Sequence, residues 1–374
     1  MIKRLISLSC AAALCLTLFT GCSAKEETTT TTAAQTTAAE TTAAQAEETK
    51  AAETEAETVA EKKDLGKLTV AEFRGMTWAP MYIAYQNGYF EEEGLEIELL
   101  RIDDGPNCFK GMHAGQNDIC ILSQEVALKA EEQGQHSTAL VTMLDTRYYA
   151  FVATEEIQSV ADLKGKTVFA STPGSAPYTF CVAVMEEAGL EIGKDVTLVN
   201  LNKGAVVAAL EKNEVQAAFI NADNFQEADN VDGLHYLVDT RNDEDAAKYL
   251  KSEEFPAEVI YAAKEFAAEN PEKMQAFVNG VVKGLDWLQN HTSEEAAEVI
   301  ADLFSPMEKD VIASKIEIMR GAYSKNGYIS EAGENAVVDF AKRSGIISTD
   351  LKYEDMVDMT YVNNAIEAGY APAN

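Results

Sequence analysis

From Leu65 onward, short apolar runs alternate with stretches whose apolar residues recur at helical spacing. The runs are "KLTVAEF", "LEIELLRI", "DICILS", "TALVTML", "YAFVAT", "KTVFAS", "VTLVNL", "QAAFIN" and "LHYLVD". Each has strand length, and Gly, Asn, Asp or Ser clusters separate them. Between them lie helical patterns such as "APMYIAYQNGYFEEEG", "EVALKAEEQG", "YTFCVAVMEEAG" and "AVVAALEKNE". The alternation predicts an α/β fold, and strands this apolar predict mainly parallel sheets covered on both faces by helices. Two such series follow each other, Leu68 to about Thr154 and about Lys166 to Asp239, each the size of one lobe.

From about Pro256 the pattern becomes helical. In "NPEKMQAFVNGVVKGLDWLQNH", Met274, Phe277, Val278, Val281, Val282, Leu285 and Leu288 fall on one stripe. Asn270 stands at the cap position and Pro271 at the first helical place. Just before it, "EVIYAAKEF" reads as a strand returning to the first lobe. A chain that crosses out and comes back joins its lobes by two crossovers, which makes a hinge. The expected parts are residues 65–155 for the first lobe, 156–245 for the second, and 246–374 for the return and the C-terminal helices.

Ahead of these, residues 23–64 are almost entirely Ala, Thr, Glu, Gln and Lys, without an aromatic residue. Such a stretch buries too little apolar surface to offset its ordering entropy and reads as a disordered tether. Residues 1–22 place Lys3 and Arg4 before an apolar run that closes on Gly21-Cys22, the layout of an export signal. A retained membrane anchor is the alternative, since the run approaches the roughly 20 residues that span a bilayer.

Charge and composition sharpen this picture. The chain of 374 residues is 47% hydrophobic, ample for two lobes, and carries a formal net charge of −32, which repels phosphate backbones and sets nucleic acid aside as a partner. Past the signal only Cys108, Cys120 and Cys181 remain, an odd and scattered set that makes no disulfide framework or metal-ligand spacing. Cys120 and Cys181 lie in apolar settings and read as small buried hydrophobes. The four histidines, His113, His136, His235 and His291, are far apart along the chain. No G-x-S-x-G, H-E-x-x-H, Walker loop or G-x-G-x-x-G is present, so the sequence offers no catalytic signature and implies neither a metal nor another cofactor.

Three strand candidates run into turns whose proline is placed to open a helix: Pro80 in "WAP", Pro106 in "DDGP" and Pro173 in "STP". In open parallel sheets such turns lie at the carboxyl ends of the strands, where ligands bind. The three are therefore expected to face one cleft. At the third, Ser171, Thr172 and Ser175 surround a helix start, and Gly174 leaves its N–H groups open to an anionic or carbonyl-bearing ligand. Simple capping by Ser171 or Thr172 is the competing account. Thr77 and Trp78 sit in the first turn, where Trp78 serves either as a stacking surface for a planar ligand or in lobe packing. Arg74 and Arg147 pair either with a ligand anion or with protein carboxylates. Asp103, Asp104, Asn221 and Asp223 are acceptors at strand ends, and loop capping is their competing role. Trp78 with Tyr148 and Tyr149 favours a planar nitrogen-bearing solute, whereas the Ser171–Ser175 turn with Arg74 and Arg147 favours a sulfonate or carboxylate.

Four segments carry a family resemblance: "GYFEEEGLEIEL", "HAGQNDICILSQEVAL", "SVADLKGKTVFASTPGS" and "LEKNEVQAAF". In order and spacing they resemble the substrate-binding proteins of ABC importers for nitrate, sulfonates, taurine and thiamine-type pyrimidines. The end "LFTGC" resembles a lipoprotein signal, with Phe19 where an aliphatic residue is usual. The resemblance covers about Leu65 to Asn374 and implies a two-lobed type II periplasmic-binding fold that closes on a small solute. It implies a monomer lipid-anchored through Cys22 on the outer face of the cytoplasmic membrane, in a Gram-positive setting, with an ABC permease and its ATPase as partners. It also implies a cleft lined by Trp78, the Asp103 to Pro106 turn, Ser123, the Ser171 to Ser175 helix start, Asn221 and Asp223. The yeast pyrimidine synthases of this family carry a cysteine-rich stretch absent from this sequence, so the expected role is binding without turnover. The rival roles are an exported enzyme acting in the same cleft and a receptor subunit that reports ligand to a sensor.

Overall fold

A computed structural model describes residues 63–102, 105–201 and 203–373. The expected export signal, the lipidated Cys22, nearly all of the tether, and the Asp103–Asp104 pair lie outside the described residues. Among the described residues no helix is long and apolar enough to cross a membrane.

Each of the strand candidates contains a strand. They are β1 (Gly66–Glu72), β2 (Leu95–Arg101), β3 (Ile119–Leu122), β4 (Ser137–Leu144), β5 (Ala150–Thr154), β6 (Thr167–Phe169), β7 (Thr197–Val199), β8 (Ala217–Ile220), β9 (Leu234–Asp239) and β10 (Ala257–Ala263). They form two five-stranded sheets, ordered β2-β1-β3-β10-β4 and β7-β6-β8-β5-β9. Helices cover them, so the central strands are buried on both faces, as the unbroken burial of β3 and β8, and of β10 up to Ala262, records.

The sheets are mixed. β1 pairs in parallel with β2 and β3, while β10 runs antiparallel between β3 and β4. The second sheet repeats the scheme: β6 is parallel to β7 and β8, and β5 runs antiparallel between β8 and β9. In each sheet the antiparallel strand that enters the middle, β10 or β5, is the one reached by a crossover. β5 therefore belongs to the second sheet, and the first crossing occupies residues 145–149, earlier than the expected edge at residue 155. The return crossing occupies residues 240–256.

The two crossings are bonded to each other. Thr240 N–H donates to the Tyr149 carbonyl at 2.9 Å, and the Thr240 hydroxyl lies 2.6 Å from the Arg147 carbonyl while accepting from Tyr149 N–H at 2.9 Å. Further along, Phe255 N–H donates to the Asp145 carbonyl at 2.8 Å.

Behind the first sheet runs the helix Pro271–Asn290, whose seven stripe residues are all buried. Asn270 makes no side-chain cap bond there, and its amide donates back to the Phe266 carbonyl. Two glycines stand mid-helix, at about 1 kcal/mol each relative to alanine. Close packing explains them: a Cβ on Gly280 would meet the Phe90 ring at 2.5 Å, and one on Gly284 would meet the Pro80 carbonyl oxygen at 2.2 Å. Cys108 and Cys120 are buried against each other with their sulfurs 3.1 Å apart, and Cys181 is buried in the core.

Candidate functional site

A cleft of about 570 Å³ opens between the two sheets. Every parallel strand sends its carboxyl end there. Phe73, Arg74, Gly75 and Thr77 follow β1, Arg101 and Ile102 end β2, and Gly105 and Pro106 open the next helix. Ser123 and Val126 follow β3. From the other sheet come Ser171, Thr172, Ser175, Ala176 and Pro177 after β6, Asn200 and Leu201 after β7, and Asn221 and Asp223 after β8. The antiparallel strands contribute from their amino ends, through Tyr149 before β5 and Glu258 in β10.

The turns thus converge, but two of their details differ from expectation. Pro80 and Pro106 stand in the first turn of their helices, whereas Pro173 lies in the loop. The third helix, Ala176–Glu187, is opened by Pro177, and Ser175 caps it by accepting from Tyr178 N–H at 3.4 Å. Gly174 does not line the cleft; its φ of 84° is the left-handed conformation that favours glycine, and this explains the residue without a ligand. Thr172 accepts from the Asn200 amide at 3.2 Å, a bond between neighbouring cleft loops.

Two residues expected in the cleft wall stand behind it. Trp78 is fully buried, packs edge-on against Phe73 with ring centroids 4.7 Å apart, and donates its indole N–H to Glu258 Oε2 at 2.9 Å. The aromatic surfaces that reach the cleft are Phe73 and Tyr149. Arg147 is buried in the first crossing, where its two terminal nitrogens bind both oxygens of Glu125, Nη2 to Oε2 at 3.0 Å. Its guanidinium also lies over Phe255 and Tyr149, 4.8 and 5.1 Å from the ring centroids. Arg147 is therefore a fastener of the crossings, and its charge is met by the protein. Tyr148 likewise lies outside the cleft lining. Arg74 does line the cleft, yet it pairs with the buried Glu72 at 2.8 Å and donates to the Leu303 carbonyl.

The side chain that sequence reading overlooked is Glu258. It lies in an otherwise apolar buried strand and is 7% exposed. Its φ of 51° is left-handed, and it stands between the ladder pairs Ala257–Leu144 and Val259–Thr142, which keep one register. A non-glycine residue held there costs roughly 1–3 kcal/mol and persists where the surroundings over-determine it. Ser171, across the cleft, is strained in the same way at φ 70°. Glu258 Oε1 accepts from the Ser123 hydroxyl at 3.3 Å. Ser123 precedes the helix Gln124–Glu132 but makes no cap bond, so its hydroxyl is turned to the carboxylate. An acid inside "FPAEVIYAA" was the available signal.

At the far wall, Lys315 of the helix Lys309–Met319 donates to the Asp223 backbone carbonyl, linking the two halves. Burial pulls the Lys315 ammonium down, with Asp223 and Glu227 opposing. Burial pushes the Tyr149 phenol well up, against the nearby Arg147 charge.

A family model described as NMT1/THI5 like matches residues 76–295, more than half of the chain. The chain belongs to the NMT1/THI5 like family. Among its relatives, the 4-amino-5-hydroxymethyl-2-methylpyrimidine phosphate synthase of Aspergillus parasiticus is 25% identical over 288 residues, 73% of this chain and 81% of that one. The formylaminopyrimidine-binding protein of Halalkalibacterium halodurans is 22% identical over 222 residues, 57% of this chain and 63% of that one. Among solved structures, the alkanesulfonate-binding protein SsuA of Xanthomonas axonopodis pv. citri bound to MOPS is similar with a TM-score of 0.62 and 16% identity, covering 80% of this chain and all of that one. Family membership and these likenesses establish the two-lobed α/β periplasmic-binding fold; they span both binding proteins and synthases.

Proposed function

We propose that this chain is the extracytoplasmic solute-binding component of an ABC importer, exported and held on the outer face of the cytoplasmic membrane through lipid on Cys22. The residue 23–64 tether lets the folded part stand away from the bilayer. A small organic solute enters the cleft between the sheets and contacts loops from both halves. Closure is favoured because only the closed state makes both sets of contacts. The permease reads that shape and receives the solute, with its ATPase as the third partner. The halves are the two sheets with their helices, meeting at the 145–149 and 240–256 crossings.

The observation that carries this reading is the cleft itself, lined from both sheets by the carboxyl ends of parallel strands. Open α/β sheets bind ligands at such places. Its volume suits a single small molecule. Turnover is not part of the proposal: the Ser123 hydroxyl set against the Glu258 carboxylate is read as a binding contact, and recovery of the solute separates binding from conversion.

Thermal denaturation of the folded part in the presence of pooled small organic solutes tests the reading. A solute at a hundred times its Kd adds about 2.7 kcal/mol of stability. The expected outcome is a concentration-dependent rise in Tm for one chemical class, with the solute recovered unchanged by mass spectrometry. Recovery of a converted product would replace the reading with an enzyme, and a flat response to every class would remove it.

A further inference from the structure

Two of the three cysteines past the export signal, 12 residues apart in the chain, meet in the core. Cys108 stands on the helix Gly105–His113 and Cys120 on β3, both fully buried, with their sulfurs 3.1 Å apart. That is closer than two sulfurs come in ordinary van der Waals contact, and both stand as free thiols in this structure. The turn between helix and strand holds them there. Asn117 is buried in it and donates its amide to the Ile119 carbonyl at 3.1 Å and to Cys120 Sγ at 3.3 Å. Gly111 admits the close approach, since a Cβ on it would meet Asn117 Oδ1 at 2.4 Å. Cys120 also sits between Ala71 of β1 and Tyr261 of β10, which fixes it in the sheet.

The chemistry open to two such sulfurs is narrow. A metal ion needs further ligands, and among the described residues no three His, Cys, Asp or Glu side chains come together to hold one. A disulfide needs its sulfurs about 2.05 Å apart, so a shift of about 1 Å brings this pair to bonding distance. Loss of both thiol protons leaves no charge behind, and the Asn117 amide keeps its acceptor on Cys120.

Resting on the exported role above, we propose that Cys108 and Cys120 are joined by a disulfide bond in the protein on the outer side of the membrane. Thiols there meet oxidants that the cytoplasm keeps reduced. The oxidant is a disulfide, RSSR, either a small molecule or the active site of an exchange enzyme. One cysteine thiolate attacks RSSR and displaces one thiolate, which leaves as RSH with that cysteine's proton. The second cysteine attacks the mixed disulfide, forms the Cys108–Cys120 bond and displaces the second RSH, so two electrons and two protons pass from the protein to RSSR. Burial and the neighbouring Cys108 push the Cys120 thiol well up, with Asn117 opposing. Exchange therefore belongs to the stage before helix and strand pack, and the closed core then shields the bond. The bridge ties the helix that opens at Gly105 and Pro106 to the strand that leads into Ser123, all three in the cleft wall.

The full chain, produced with its export signal in an aerobically grown host, tests this. Protein from the outer face is alkylated with N-ethylmaleimide in urea without reductant, cut with trypsin and weighed by mass spectrometry. Cleavage at Arg101, Lys110 and Lys129 puts the two cysteines on separate peptides, 102–110 and 111–129. The expected result is that most molecules yield these peptides joined, while Cys181 is alkylated as the internal control. Separate, alkylated peptides from most molecules that have lost residues 1–21 overturn the bond and leave solute binding to its own screen. If residues 1–21 are retained, the export reading fails instead, and the same digest after refolding in oxidised glutathione decides the pair: joined peptides support the bond and separate ones overturn it. Refolding under reductant should lower the wild-type Tm by about 5 °C and leave that of the Cys108→Ala, Cys120→Ala double variant unchanged. A response no larger in wild type than in the variant overturns the bond's part in stability.

Discussion

Glu334 offers a test of how burial sets stability. It lies on the helix Glu331–Arg343, is fully buried, and neither carboxyl oxygen has a hydrogen-bond partner among the described residues. Near it are the Tyr261 hydroxyl and the Gln124 Oε1, both also without partners among the described residues. Gln124 turns its amide nitrogen to the Pro256 carbonyl at 3.0 Å. Burial pushes the Glu334 carboxyl up from 4.5 to about 7, and the nearby Gln124 amide opposes this without completing a bond. Between these two values the folded state holds a proton that the unfolded chain has released, so stability falls as pH rises. The burden is absent below about pH 4.5 and complete above about pH 7. A rise of roughly 2.5 pH units in pKa corresponds to about 3 kcal/mol at 1.36 kcal/mol per unit. Glu334→Gln carries no ionisable group, and its amide can donate to the Gln124 oxygen. Urea unfolding of both proteins at pH 5, 6, 7 and 8 reads the effect. The stability of E334Q relative to wild type is expected to grow by about 2 kcal/mol or more from pH 5 to pH 8, every other titration cancelling in the difference. A difference constant across that range would refute the reasoning.

Three further predictions come from other parts of the chain. Arg147→Met leaves the Glu125 carboxylate buried without its partner and should cost about 3–5 kcal/mol in urea unfolding, with part of the loss restored by adding Glu125→Gln. Ser175→Asp keeps an acceptor at the helix cap and should change stability by less than about 0.5 kcal/mol in urea unfolding, while calorimetric titration should show sharply weaker binding of an anionic solute held at that helix start. Gly284→Ala drives a methyl group into the Pro80 carbonyl 2.2 Å away and should lower Tm by an amount equivalent to about 1–3 kcal/mol, measured by thermal denaturation with the far-ultraviolet spectrum unchanged.

The strands were legible because each pairs an apolar run with a turn, and the stripe on Pro271–Asn290 was legible because helical spacing repeats over twenty residues. Strand direction was not. An apolar run such as β10 reads the same whether it enters a sheet parallel or antiparallel, so the mixed pairing and the early crossing at 145–149 emerge only in three dimensions. The cleft turns were located by proline and glycine chemistry, yet which side chains face inward depends on partners distant in the chain. Trp78 and Arg147 look equally suited to a ligand until Glu258 and Glu125, 180 and 22 residues away, are seen to hold them. Glu258 itself was hidden for the same reason: one acid in an apolar strand carries no mark of what it faces.

The bonds joining Thr240 to Arg147 and Tyr149 limit the ways the molecule can breathe. Two threads tied side by side act as one short axle, so the halves can rock about it but cannot slide past each other. Displacement then scales with distance from the axle, small beside Thr240 and largest at the rim. On the solute-binding role proposed above, occupancy of the cleft changes the outline most at the surface furthest from the tied threads.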